Sequence, residues 1–72
     1  MTDDSKERAR KIKHDLRASI GQILGYGEML REEAEERSLA TMVSDLERIE
    51  RAARHALTLV EQAFSGDAEG AA

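Results

Sequence analysis

The sequence predicts an all-α protein, an antiparallel two-helix hairpin that dimerises into a four-helix bundle. Three observations lead there. The 72 residues contain no proline, one tyrosine and one phenylalanine, and 36% are charged, the composition of long helices rather than of sheets. Apolar residues recur at helical spacing in two stretches separated by a short polar break. Each stripe is two or three heptad columns wide, more than one antiparallel partner can cover, so a second hairpin is needed to bury both.

The first helix is expected from about residue 4 to 36, roughly 50 Å at 1.5 Å per residue. Its core column holds Ala9, Leu16, Ile23 and Leu30, flanked by Ile12, Ser19 and Tyr26 on one side and Ile20, Gly27 and Ala34 on the other. Glu35-Glu36-Arg37-Ser38 then interrupts the pattern with neither proline nor glycine. Ser38 or Thr41 is expected to cap the second helix, because a hydroxyl there accepts a free backbone N–H.

The second helix is expected from about 39 to 64. Its columns are Leu39, Leu46, Ala53 and Val60; Met42, Ile49, Ala56 and Ala63; and Val43, Leu57 and Phe64. So short a connection implies an antiparallel hairpin. Residues 1–64 thus form one domain. The small, polar run 65–72 reads as a flexible tail or a linker to something downstream.

Composition narrows the function. A domain of this size buries only ~60% of its unfolded surface and usually relies on disulfides, metal or oligomerisation. Cysteine is absent and the two histidines stand far apart, so no metal site is expected and oligomerisation remains. The formal charge of −4 argues against a nucleic-acid partner. No apolar run reaches the ~20 residues that span a bilayer, so no direct membrane contact is expected and the location reads as cytoplasmic. Charge is also segregated: residues 6–17 hold six cations and two acids, residues 28–36 five acids and one cation.

His14 falls in the column of helix one farthest from the core. Arg10, Lys11 and Arg17, at i−4, i−3 and i+3, share its face and are placed to meet the oxygens of an incoming phosphate. Asp15 is near enough to accept a hydrogen bond from Nδ1–H, leaving Nε2 as nucleophile. On the same face Ala18, Gly21, Leu24 and Gly25 follow. Glycine inside a helix costs about 1 kcal/mol relative to alanine; Gly27 suits close helix packing, whereas Gly21 and Gly25 face outward and suit a smooth track for a partner. His55, near Arg51 and Arg54, reads as a surface or boundary residue, and Tyr26 as a core-edge residue without a catalytic role.

The segments His14-Asp15-Leu16-Arg17 and Ile23-Leu24-Gly25-Tyr26-Gly27-Glu28-Met29-Leu30 resemble the H-box helix of the dimerisation and histidine phosphotransfer domain of sensor histidine kinases. Asp45 to Ile49 and Ala52 to Leu57 are similar to that family's second helix, and the resemblance covers about residues 5 to 64. It implies a homodimer whose His14 takes phosphate from ATP, through an ATP-binding kinase domain in cis or trans, and gives it to an aspartate of a response regulator receiver domain. By the same resemblance Asp15 activates His14, and Ala18, Gly21, Leu24 and Gly25 fall where the receiver docks.

The chain departs from the family at two positions. Ala18 stands where the family usually has Thr or Asn, which positions a water for dephosphorylating the receiver; phosphatase activity from this site is expected to be weak or absent. Ser19 stands where the family usually has proline, so the helix should run straighter. The Gly-rich and Asn-containing boxes that hold ATP and magnesium in the family have no counterpart here. The chain is therefore expected to bind no cofactor and to be inactive alone, as one part of a phosphotransferase. The competing expectation is a non-catalytic dimeric connector in a signalling protein, with His14 vestigial.

Overall fold

The computed structural model describes side chains over residues 4–64. It is an all-helical hairpin: α1 spans Thr2–Glu36 and α2 spans Ala40–Ala71, packed against each other along their length. The expected tail at 65–72 lies outside the residues whose side chains are described. With no proline and no interior break, α1 continues without interruption through Ser19.

The turn is made by Arg37, Ser38 and Leu39, and its geometry differs from the expected hydroxyl cap. Ser38 adopts a left-handed conformation, φ 58°. Its N–H donates to the Glu35 carbonyl at 3.1 Å, and the Leu39 N–H donates to the Ala34 carbonyl at 2.9 Å. This pair of bonds is a Schellman motif, which satisfies carbonyls that the end of a helix leaves without partners. Ser38 therefore closes α1 rather than capping α2. Leu39 takes the N-cap position, its carbonyl accepting from the Val43 N–H at 2.9 Å; Thr41 lies inside α2. A non-glycine residue in the left-handed region carries a steric cost of roughly 1 kcal/mol. Ser38→Gly is therefore expected to stabilise the hairpin by about 0.5–1 kcal/mol, read as a rise in the urea midpoint at unchanged slope.

The antiparallel seam uses only one edge of the α1 stripe. Ile20, Leu24, Gly27, Arg31 and Ala34 face Val43, Leu46, Glu50, Ala53, Leu57 and Val60, and of these Gly27, Ala34, Leu46, Glu50, Ala53 and Val60 are buried. Gly27 permits close approach: a Cβ there would stand 3.6 Å from Glu50 Cγ and 3.9 Å from Ile49 Cγ2.

The expected core column sits elsewhere. Ile23, Tyr26 and Leu30 are 54%, 65% and 52% exposed, and Ile12 and Leu16 are exposed with them. Met42 and Ile49 on α2 are exposed as well. At about 100° per residue, these side chains lie on the same side of the hairpin and form one long apolar face. The physical reason is width: the seam takes one column from each stripe and leaves the next column uncovered.

A charged network crosses the seam. Glu50 is only 4% exposed and accepts a hydrogen bond from Arg31 Nε. Arg31 Nη1 also reaches Glu35 at 3.1 Å, while Arg54 Nη2 reaches Glu28 at 3.0 Å and Glu50 at 3.6 Å. The hydrogen bond that Arg31 donates to Glu50 raises the guanidinium above its ordinary pKa, opposed by desolvation. Two of the acids in the segregated block, Glu28 and Glu35, thus belong to a folded network, Glu28 through Arg54 of α2 and Glu35 through Arg31 of α1.

Candidate functional site

The site is built on the first half of α1, where helical spacing turns His14 away from both the seam and the exposed apolar face. At about 100° per residue, His14 lies roughly opposite the stripe of Ile12, Leu16 and Ile23. Its side chain is exposed and makes no hydrogen bond or ion pair among the described residues. Asp15 is exposed as well and does not bond to His14. The i, i+1 relation places the two side chains about 100° apart around the axis. The expected Nδ1–H to carboxylate bond is therefore not formed in this arrangement.

The three cations divide. Arg10 and Lys11 are exposed and without partners among the described residues. Arg17 is engaged across the hairpin, its Nε 2.9 Å from Glu61 Oε2. Lys13 joins the same carboxylate, Nζ to Oε1 3.4 Å.

Beyond His14, Ala18 and Gly21 are exposed while Leu24 and Gly25 are half-buried. A Cβ added at Gly21 or Gly25 would meet nothing within 4 Å. Packing within the hairpin therefore does not require glycine at either position, unlike at Gly27. What the two glycines create is a stretch of α1 surface without projecting side chains, running C-terminally from His14.

His55 is exposed on α2. No group of three or more His, Cys, Asp or Glu is placed to hold a metal among the described residues, and no described helix is long and apolar enough to cross a membrane. An open concavity lined by Ser38, Leu39, Thr41, Met42 and Asp45 lies at the turn, roughly 35 Å from His14 along α1.

Two residues escaped the sequence reading. Glu61 is the acid that meets the basic end of α1, and the signal was there: few acids stand near the end of α2, opposite six cations. Glu50 fills the gap between Val43 and Leu57 in an otherwise apolar column, and a charge in such a column calls for a partner. Arg31, the one cation in the acidic block, is that partner.

The fold and site together define a helical hairpin that presents a solvent-facing histidine beside a small-residue track. No protein-family model, no curated protein and no solved structure matches the chain.

Proposed function

We propose that this chain is the dimerisation and phosphoacceptor domain of a two-component sensor histidine kinase. In this reading His14 takes the γ-phosphoryl group of ATP from a separate catalytic domain, which also carries the magnesium, and passes it to an aspartate of a receiver domain. The observation that carries the reading is the placement of His14: solvent-facing, free of side-chain partners, and turned away from the apolar face. A nucleophile served by one protein domain and discharged by another has to be reachable from outside the bundle.

Dimerisation is part of the proposal. A compact 8.0 kDa protein exposes roughly 4,400 Å², and this hairpin exposes 5591 Å². Two hairpins joined through Ile12, Leu16, Ile23, Tyr26, Leu30, Met42 and Ile49 would bury that face and leave both His14 side chains outside. Asp15 acts as the activating acid after a rotamer change that brings it to Nδ1–H. The receiver docks along Ala18, Gly21 and Gly25, with Leu24, half-buried beside the seam, at the edge of the track. With no polar atom at Ala18, this site contributes little phosphatase activity.

The test is to incubate the chain with a histidine-kinase catalytic domain and labelled ATP. Acid-labile, alkali-stable label is expected on the parent chain and absent from His14→Gln; equal labelling of both contradicts the proposal. The engagement of Arg17 by Glu61 favours a second reading, in which the hairpin is a dimeric connector and His14 takes no phosphate. That reading predicts undiminished signalling by His14→Gln in a multidomain signalling protein that contains the hairpin.

A further inference from the structure

Glu61 reaches from α2 to the cations on either side of His14. Lys13 Nζ lies 3.4 Å from its Oε1 and Arg17 Nε 2.9 Å from its Oε2, so each carboxylate oxygen holds a different cation. The two cations differ in setting. The Lys13 side chain is 24% exposed and turned toward the seam, whereas that of Arg17 is 56% exposed and one turn from His14 on the same face.

An ion pair this open to water is weak and exchanges readily. A phosphoryl dianion offers a guanidinium two parallel charge-assisted hydrogen bonds and more charge than one carboxylate. Arg17 therefore has a stronger partner available whenever a phosphoryl group is at His14, while Lys13 can stay on Glu61 and keep the end of the hairpin closed.

We infer that Glu61 is a positioning residue: it holds Arg17 against α2 while His14 is unmodified and yields it to a phosphoryl group arriving at His14. The biological role of this exchange rests on the phosphoacceptor reading. The exchange itself is a property of three side chains and can be measured without a kinase.

The probe is phosphoramidate acting on the full chain. The Nε2 lone pair of His14 forms the new N–P bond as the donor P–N bond breaks, and ammonia leaves with the protons already on the donor nitrogen. The rate is read separately at His14 and at His55, which is exposed and serves as the internal standard. Glu61→Gln is expected to speed modification of His14 roughly two- to fivefold, the scale of one exposed ion pair, and to leave His55 unchanged. Glu61→Asp should restore the parent rate. In an Arg17→Gln background Glu61→Gln should have no effect, because the cation freed on the face of His14 is then missing and Lys13, the other one freed, is turned toward the seam.

Equal acceleration at both histidines, acceleration that persists without Arg17, or no acceleration at His14 overturns the inference. Circular dichroism of each variant separates these outcomes from loss of the hairpin. Failure of labelling by a kinase domain would overturn the phosphoacceptor reading and leave the phosphoramidate result to stand or fall by itself.

Discussion

Replacing Ile23 and Leu30 together with lysine is expected to turn a dimer of this chain into a monomer. In the single hairpin both side chains are more than half exposed, so lysine at either position would cost an isolated hairpin almost nothing. In the proposed dimer they lie under the second copy. Ile23 and Leu30 are about half exposed, so covering each contributes roughly half of the ~1.5–3 kcal/mol of full burial, and two positions in two protomers lose that contribution together. Burying unpaired ammonium groups adds a further penalty. A combined loss of even ~4 kcal/mol weakens association by about three powers of ten. Sedimentation equilibrium should therefore give twice the 8.0 kDa chain mass for the parent and the single-chain mass for the double variant. Met29→Lys is the control: Met29 is 64% exposed on the side of α1 away from α2, and the variant should keep the parent mass. A parent that sediments as a monomer, or a double variant that stays dimeric, would show that this face is not the interface.

The second large effect concerns the charged seam. Arg31→Met removes the guanidinium that hydrogen-bonds Glu50 and leaves the Glu50 carboxylate almost wholly buried, with Arg54 at 3.6 Å as the remaining cation. Stranding a buried carboxylate costs about 3 kcal/mol. Glu50→Met is expected to cost less, because Arg31 keeps Glu35 at 3.1 Å and part of its side chain in water. The double variant should regain most of the loss, since two methionines fill the seam without buried charge. Urea denaturation of the four proteins in this cycle measures the coupling. Equal single effects that add in the double variant would contradict a buried, mutually dependent pair. The pair's role would then be that of a register marker: a hairpin slipped along the seam separates Glu50 from Arg31.

Much of the fold was legible in the sequence because helical periodicity is a local property. The wide stripes of α1 and α2, the absence of proline and the four-residue polar break give two helices and an antiparallel hairpin. The finer packing depends on register, which no single column reports. Ile20, Gly27 and Ala34 look like a flanking column beside Leu16, Ile23 and Leu30. Only the turn geometry decides that the flanking column faces α2 and the central one is left exposed. Ser38 departs from the expected cap for a related reason: serine near a helix start usually caps it, and a left-handed serine ending the preceding helix has no composition signal. For the site, the outward face of His14 and the open surfaces at Gly21 and Gly25 follow from spacing alone. The engagement of Arg17 does not, since Glu61 lies 44 positions further along the chain and meets Arg17 only once the hairpin closes.

The outward face also separates His14 from His55, which occupies a different helix and a different neighbourhood, and this gives the central claim its most direct test. The chain is phosphorylated by a sensor-kinase catalytic domain with ATP, digested at alkaline pH, and the phosphorylated peptide located by mass spectrometry. The phosphoacceptor account predicts modification of the peptide that contains His14, no modification of the peptide that contains His55, and loss of the phosphoryl group when a receiver domain is added. A phosphoryl group on His55, on a hydroxyl, or on no residue would contradict it.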